Sequence, residues 1–210
     1  MIYENFGKRL FDVICSLGGL LVLSPFFILI SFLIKITSPG PVFFLQKRMG
    51  KGGYTFKLIK FRSMHVNPVE EINEFTPGDD TRITKFGKIL RRTKIDELPE
   101  LINVFSGDMS LVGPRPEVPK YRHVYVRKFE PILSLRPGIT DLASIKYRDE
   151  ERLLAKSPNP DQVYRNEILP DKLQLVLKYM DNISFKTDLK IIFLTLMRLF
   201  NAENSITERD

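Results

Sequence analysis

Residues 88–117 read KILRRTKIDELPELINVFSGDMSLVGPRPE. This stretch places two adjacent carboxylates, Asp96 and Glu97, between a cluster of cations and the proline-flanked Arg115 of the triplet Pro114-Arg115-Pro116. The cations of the cluster are Lys88, Arg91, Arg92 and Lys94. Because a long apolar segment precedes these charges, the pattern predicts phosphate chemistry at a membrane surface.

The local pattern around the acid pair leaves two explanations open. Thr93-Lys94-Ile95-Asp96 matches a helix-start motif in which the Asp96 carboxylate satisfies backbone N–H donors. That start places Pro99 inside the helix, where proline is costly, whereas a start nearer Asp96 places it in the first turn. Either helix start keeps the carboxylate ionised through the helix dipole. Helix capping and participation in a chemical reaction therefore both remain possible roles for Asp96.

Composition limits the function classes. A chain of 210 residues, 43% hydrophobic and 27% charged, predicts one globular domain with an appended element. The net charge of +7 favours anionic partners. No nucleic-acid-binding module is recognisable, so a nucleic-acid partner is not expected. The single Cys15 permits no intrachain disulfide, which fits a reducing cytoplasmic location.

The apolar segment at residues 13–34 runs about 22 residues without a charge, which is long enough to cross a bilayer. Ser24-Pro25 lies at its midpoint, where proline removes a backbone donor and predicts a kink or break. Cations flank both ends, and the positive-inside rule places both flanks in the cytoplasm. We therefore predict a re-entrant helix-break-helix, and a kinked transmembrane span is the alternative.

The remainder predicts an α+β, mainly helical fold. Strand-forming residues at 42–50 and 54–62 flank a glycine-rich turn and predict a small antiparallel β-hairpin. Residues 67–80 are acidic and rich in turn formers, and predict a lid loop. Amphipathic interfacial helices are expected in the catalytic domain, and the closing apolar helix lies either in the core or against the bilayer. The predicted division is 1–36 membrane hairpin, 37–200 catalytic domain and 201–210 polar tail.

Five stretches together resemble the bacterial sugar transferases. They are Ser24-Pro25, KFRSM at 60–64, the tract 81–116, LRPGIT at 135–140 and YMDNISFKTDLKIIFLTL at 179–196. The chain is most similar to the small monotopic phosphoglycosyl transferases, and the resemblance covers roughly residues 5 to 200. One departure is that DLASIKYRDEE follows LRPGIT, where many members have a continuation containing Gly-Trp. This departure leaves sugar and base specificity open.

The resemblance implies transfer of a sugar phosphate from a UDP-sugar to undecaprenyl phosphate, with release of UMP. It implies that Asp96 is the nucleophile and that Glu97 is its neighbour in the pair. Mg²⁺ is expected at Asp96 and Glu97 because it prefers one or two carboxylates together with substrate phosphate oxygens, and Glu97 is then a metal-binding or orienting group. The family's helix break corresponds to Ser24 and Pro25. The implied substrate-binding residues are Lys60, Arg62, Arg91, Pro114, Arg115, Pro116 and Glu117, although Glu117 equally fits a simple ion pair.

The implied location is the cytoplasmic face of the bacterial inner membrane, in contact with membrane lipid. Homo-oligomerisation is left open. Two alternatives remain: direct displacement by the lipid phosphate, with the carboxylates only holding metal, and a nonenzymatic protein that binds anionic membranes.

Overall fold

The computed structural model describes residues 3–66, 82–148, 150–155 and 157–204. The predicted lid at 67–80 and the last six residues of the predicted tail lie outside these ranges. The described chain is mainly helical with a small antiparallel sheet, which confirms the predicted α+β class. The α-helices are α1 Lys8–Thr37, α2 Lys85–Thr93, α3 Glu100–Ser106, α4 Leu142–Lys146, α5 Glu150–Ala155, α6 Pro160–Val163, α7 Leu169–Met180 and α8 Phe185–Asn204.

The predicted β-hairpin is confirmed. Strands β1 (Phe43–Met49) and β2 (Thr55–Phe61) pair antiparallel and are joined through a 3-10 turn at Lys51–Gly53. Within that turn Gly52 has a φ of 71°, a left-handed conformation that glycine adopts without the strain of a side chain. Leu58 and Phe61 of β2 are buried. The hairpin therefore rests on the core with β2 inward, and this places Lys60 beside the helical part of the domain.

Helix α1 runs through Pro25 without an interruption, so the predicted helix-break-helix is not confirmed. Proline lacks the N–H that would bond to the carbonyl of residue 21 in a regular helix. The Ser24 hydroxyl donates to that Leu21 carbonyl at 2.8 Å. Ser24 thus satisfies the acceptor that Pro25 leaves open.

Both ends of α1 are held by contacts with the part of the described chain that follows the helix. At the start, the Arg9 guanidinium donates to the Val104 carbonyl at 2.6 Å, and Asp12 accepts from the Leu111 N–H at 2.9 Å. At the end, the Arg62 guanidinium donates to the carbonyls of Ser38 and Pro39. Between these ends, the buried residues of α1 (Asp12, Ser16, Ile30 and Ile34) follow the helical repeat.

The opposite face of α1 is apolar and exposed. Its outward residues include Leu21, Val22, Ile28 and Phe32, all more than 60% exposed. Of the described helices, only α1 is long and apolar enough to cross a membrane. An exposed apolar face of this size is typical of a surface that contacts a membrane or another protein.

A second, parallel sheet was not predicted. Strand β3 (Ser110–Val112) pairs with β4 (Gly138–Thr140), and the two strands are far apart in sequence. A Cβ placed on Gly138 would lie 2.1 Å from the Gly113 nitrogen. The two backbone segments can therefore approach this closely only because both residues are glycine. The Gly138 N–H also donates to the Pro114 carbonyl at 2.9 Å. This close crossing fixes the start of the segment that carries Arg115.

The C-terminal helices form the largest part of the core. Tyr164, Leu169, Leu173 and Val176 are buried in one apolar cluster with residues of the segment that follows Arg115. Pro170 lies in the first turn of α7, directly after a π-helical turn at Tyr164–Ile168. Helix α8 places Asp188 and Ile191 in the interior, while several of its apolar residues are exposed, among them Leu189, Phe193, Leu196 and Met197.

Candidate active site

The acid pair lies on a short turn between α2 and α3. Lys94 has a φ of 59°, a left-handed conformation that ends α2, and a 3-10 turn follows at Ile95–Glu97. Pro99 directly precedes α3, consistent with a helix start near the acid pair. The Thr93 hydroxyl donates back to the Ile89 carbonyl at 2.8 Å and caps no helix start. The geometry therefore disfavours capping as the role of this motif.

Asp96 is a buried carboxylate with an unused oxygen. The residue is only 8% exposed, and its Oδ1 has no hydrogen-bond partner among the described residues. A buried acceptor without a donor is costly, and such groups concentrate at functional sites. Asp96 Oδ1 is therefore available to bind a ligand or to react.

Glu97 differs from Asp96 in that its carboxylate is held by cations. Lys60 Nζ donates to Glu97 Oε1 at 2.7 Å. Arg115 Nη2 donates to the same oxygen at 2.5 Å, and Arg115 Nη1 lies 3.4 Å from Oε2. The two-nitrogen contact of Arg115 is the fork geometry that guanidinium makes with carboxylate. Glu97 thus holds Arg115 and also Lys60, whose charge in addition lowers the pKa of Asp96.

Asn103 places Lys60 at the site. Its side-chain amide donates to the Lys57 carbonyl at 2.8 Å, and its Oδ1 accepts from the Ile59 N–H at 2.9 Å. These two bonds tie α3 to β2 as a neighbouring strand would. Because Asn103 fixes the register of α3 against β2, Lys60 reaches the acid pair.

Glu100 is a third carboxylate of the site, and the sequence analysis did not identify it. It is 1% exposed, and its Oε1 forms a long ion pair with Lys60 Nζ at 3.4 Å. The spacing of Glu97 and Glu100 could have indicated this role, since residues three apart on a helical turn share a face. Lys60 consequently lies between two glutamates.

The backbone of Arg115 is held by Asp141. Asp141 Oδ2 accepts from the Arg115 N–H at 3.2 Å, while Oδ1 accepts from the Ser144 N–H at 2.6 Å and caps α4. Asp141 is 2% exposed and was not identified from the sequence. It fixes the main chain at the point where the Arg115 side chain turns to Glu97.

The surroundings move the pKa values of these carboxyl groups in opposite directions. Burial, reinforced by the charge of Glu97, raises the pKa of Asp96 to about 6. Burial likewise raises the pKa of Glu100 to about 7, although Lys60 opposes the shift. Burial alone would also raise the pKa of Glu97, but Arg115, Lys60 and Lys94 together hold it well below its ordinary value. Glu97 is therefore the permanent anion of the group, and Asp96 is a weakly stabilised one.

This difference predicts a titration. In metal-free protein, ¹³C NMR of the side-chain carboxyls should show Asp96 with a midpoint near pH 6, because the buried anion has few favourable contacts. The Glu97 carboxyl should stay ionised through that pH range, so its signal should not shift. Asp96→Asn and Glu100→Gln samples assign the two titrating signals. A midpoint for Asp96 at or below about 4, the ordinary value, would contradict the described surroundings.

The other predicted site residues lie in different places. Arg62 is directed away from the acid pair, to the turn after α1, where its guanidinium is 2.7 Å from the Ser38 carbonyl. Arg91 is close enough to the acid pair to lower the pKa of Asp96. Glu117 is buried and accepts a hydrogen bond from the Tyr164 hydroxyl at 2.5 Å. Substrate binding by Arg62 and Glu117 stays a prediction, and the contacts give each a structural role.

The acid pair offers Mg²⁺ one open carboxylate oxygen. Among the described residues, no group of three or more His, Cys, Asp or Glu side chains is arranged to hold a metal ion. Mg²⁺ often takes only one or two carboxylates and completes its ligands with water and substrate phosphate oxygens. The unused Asp96 Oδ1 fits such a ligand, whereas hydrogen bonds from cations occupy the Glu97 oxygens. The residues thus fit a magnesium ion held by Asp96 and a phosphate, with Glu97 as an orienting group.

Comparisons with known proteins show the family to which the chain belongs. The model of the family described as bacterial sugar transferase matches residues 3–202. An exopolysaccharide production protein of Rhizobium leguminosarum bv. phaseoli is 40% identical over 198 residues, covering 90% of this chain and 93% of that protein.

Two further relatives are longer proteins. A UDP-glucose:undecaprenyl-phosphate glucose-1-phosphate transferase of Escherichia coli (strain K12) is 36% identical over 92% of this chain and 40% of its own length. A UDP-N-acetylgalactosamine-undecaprenyl-phosphate N-acetylgalactosaminephosphotransferase of Aeromonas hydrophila is 34% identical, and the match covers 94% of this chain and 44% of the relative. With the family model matched over nearly the whole described chain, the protein belongs to the bacterial sugar transferases and is an enzyme of the transferase class.

Proposed function

We propose that this protein transfers a sugar 1-phosphate from a UDP-sugar to undecaprenyl phosphate through a covalent intermediate on Asp96. The observation that carries the proposal is the difference within the acid pair. Glu97 is held by Lys60 and Arg115, whereas Asp96 Oδ1 is buried and has no hydrogen-bond partner among the described residues. Only one of the two carboxylates is thus free to attack.

In the first half of the reaction, an Asp96 oxygen attacks the phosphorus that carries the sugar. The bond between this phosphorus and the oxygen bridging to the other phosphate breaks, UMP leaves, and the sugar phosphate remains esterified to Asp96. An anion here approaches an anion, so the rate depends on positioning and on charge neutralisation. Lys60 and Arg115, both oriented by Glu97, supply positive charge at that point.

In the second half, an oxygen of undecaprenyl phosphate attacks the same phosphorus, and the Asp96 carboxylate leaves. The product is the sugar linked through a diphosphate to the lipid. The attacking oxygen is already anionic near neutral pH, so no strong base is required. Mg²⁺, when bound, would neutralise phosphate charge at Asp96.

A donor screen tests the reaction class. The purified protein in detergent should release UMP from at least one member of a panel of UDP-sugars when undecaprenyl phosphate and Mg²⁺ are present. The panel is necessary because the named relatives differ in their sugar, glucose in one and N-acetylgalactosamine in another. Failure of every UDP-sugar would contradict the proposed donor.

We further propose that α1 is partly immersed in the cytoplasmic face of the inner membrane, with both of its ends on the cytoplasmic side. Arg9 and Asp12 at its start and Ser38 after its end all contact the same catalytic domain. A helix that crossed the bilayer would carry one of these ends to the other side. The exposed apolar faces of α1 and α8 supply the lipid contact.

A topology measurement tests this placement. Single cysteines introduced at Glu4 and at Lys190, in a Cys15→Ser background, should both resist a membrane-impermeant maleimide in intact spheroplasts and should both react after lysis. The expected protection follows from the fixation of both ends of α1 to one domain. Labelling at position 4 in intact cells, with position 190 protected, would instead show a transmembrane span.

A further inference from the structure

One face of the β-hairpin takes no part in the reaction described above. Residues that lie directly opposite each other in an antiparallel pair project from the same face. Lys60, which reaches the acid pair, lies opposite Phe44 and so belongs to the face directed at the active site. The other face, which we call the lysine face, includes the pairs Phe43 with Phe61, Leu45 with Ile59, and Lys47 with Lys57.

Lys47 and Lys57 place two positive charges directly opposite each other on this face. Both residues are exposed, and like charges in opposite positions destabilise a strand pair. Within the described part of the chain, neither ammonium group has an ion-pair or hydrogen-bond partner. The lysine face thus carries a repulsive pair of charges that an anion from outside the chain would neutralise.

The lysine face changes in polarity with distance from α1. At one end, Phe61 lies 5.2 Å from Phe27 of α1 and 5.5 Å from Phe43, measured between ring centroids. Next along β1 is Leu45, which is 50% exposed, and the two lysines follow. Aromatic and aliphatic side chains beside α1, with cations beyond them, are typical of a surface that lies on an anionic membrane.

The contact of Phe61 with Phe27 also sets the direction of the lysine face. Phe27 belongs to the packed side of α1, and the exposed apolar side of the helix is opposite to it. A membrane that contacts the exposed side of α1 is therefore on the side to which the lysine face is directed. Lys47 lies four residues beyond Phe43, or about 13 Å along the strand, which exceeds the helix diameter of about 10 Å. The lysines thus lie beside α1 and are not covered by it.

We propose that the lysine face binds the headgroups of anionic phospholipids in the cytoplasmic leaflet, with a lipid phosphate between Lys47 and Lys57. This inference rests on the proposed placement of α1 in that leaflet. Lysine stems lie along apolar surface while their ammonium groups reach the headgroup layer, and Leu45 then contacts the acyl boundary. A second copy of this chain is disfavoured as the occupant, because it carries a net charge of +7 and a two-fold contact would oppose the same lysines.

Spin labels measure whether the lysine face contacts the membrane. Single cysteines at Val22, Leu45 and Tyr54, in a Cys15→Ser background, are labelled with a nitroxide, and the full chain is reconstituted into vesicles that contain phosphatidylglycerol. We expect the labels at positions 22 and 45 to be accessible to oxygen dissolved in the lipid. The label at Tyr54, which is 82% exposed at the far end of the hairpin, should be accessible to a water-soluble nickel complex.

The three labels separate this inference from the placement of α1. Lipid contact at position 22 together with water contact at position 45 would overturn the inference. Protection of position 45 from both reagents would indicate a protein contact there and would overturn it too. Water contact at position 22 would instead contradict the proposed placement of α1.

The double variant Lys47→Gln/Lys57→Gln tests the preference for anionic lipid. Flotation of the full-length protein with vesicles compares binding to phosphatidylcholine that contains phosphatidylglycerol with binding to phosphatidylcholine alone. A lysine near an anionic surface strengthens binding about fivefold, so the ratio of the two affinities should fall about 25-fold in the double variant. The midpoint of thermal unfolding in detergent should not fall, because the variant removes a like-charge pair.

The matched control is Lys128→Gln/Arg165→Gln, which removes the same net charge at exposed positions outside the lysine face. This control should change the ratio of affinities by less than about twofold. An unchanged ratio in the Lys47 and Lys57 variant would overturn the inference. Equal losses in the two double variants would show that net charge, and not this face, sets the lipid preference, and would overturn it as well.

Discussion

Asp96→Asn is expected to abolish UMP release while making the folded protein more stable. Asparagine keeps the size of the side chain but cannot form the acyl phosphate, so we expect a loss of at least about 10³-fold in the rate of UMP release. The substitution also removes a buried anion whose Oδ1 has no hydrogen-bond partner within the described part of the chain. Activity and stability should therefore change in opposite directions.

The direction of the stability change follows from the pKa of Asp96. The group has a pKa of about 6 in the folded protein, against an ordinary value of 3.8. A raised carboxyl pKa means that the folded state binds the proton more tightly than the unfolded state between these values. The contribution of Asp96 to stability thus falls as the pH rises through this window. At pH 7 the asparagine variant should be more stable by about 1–3 kcal/mol.

Thermal unfolding at pH 7 and at pH 4 measures this effect in the two proteins. The difference in the free energy of unfolding should be present at pH 7 and largely absent at pH 4. Substantial UMP release by a well-folded Asp96→Asn protein would contradict the role of Asp96 as nucleophile. A variant that is inactive and also less stable would leave misfolding as the explanation of the lost activity, and would contradict the description of Asp96 as a weakly stabilised anion.

Arg115→Gln is expected to be the second most damaging change. It removes the fork contact that Arg115 makes with Glu97 and the positive charge beside the reacting phosphate. Removal of one group that stabilises developing charge typically costs about 10²–10³-fold in rate, and we expect a loss of this size in kcat/KM. Because Arg115 is 31% exposed at its side chain, the loss of stability should be modest, about 1–2 kcal/mol.

The matched control for Arg115 is Arg165→Gln, which changes an exposed arginine outside the site and should keep full activity. A double variant with Glu97→Gln extends the test. Since Glu97 acts by holding Arg115 and Lys60, the two substitutions should be strongly non-additive in kcat/KM. Additive losses would show that Glu97 works independently of these cations. Near-normal kcat/KM in Arg115→Gln would remove this arginine from the reaction.

Local sequence patterns predicted the elements that depend on local interactions. The β1–β2 hairpin follows from strand-forming residues on either side of Gly52 and Gly53, and the start of α3 follows from Pro99. The adjacency of Asp96 and Glu97 is visible in the sequence itself. Which of them is free to react is not visible, because that depends on where the side chains of Lys60 and Arg115 lie.

The features that the sequence did not predict are made by distant contacts. Strands β3 and β4 have three residues each, too few for a periodic signal, and pair only because Gly113 and Gly138 allow a close approach. Asp141 directly follows β4 and accepts a hydrogen bond from the Arg115 N–H, although the two residues are distant in sequence. Arg62 shares a strand pattern with Lys60, yet it turns to the end of α1, because the buried carbonyls there require a donor.

Mass spectrometry of the intact protein tests the central claim most directly. Wild-type protein and Mg²⁺ are mixed with a competent UDP-sugar in the absence of undecaprenyl phosphate and quenched in acid. The account predicts one equivalent of UMP per protein and a mass increase of one sugar phosphate, located on the peptide that contains Asp96 and absent from Asp96→Asn. UMP that forms only when the lipid is added, with no adduct at any time, would show that the lipid attacks the donor directly.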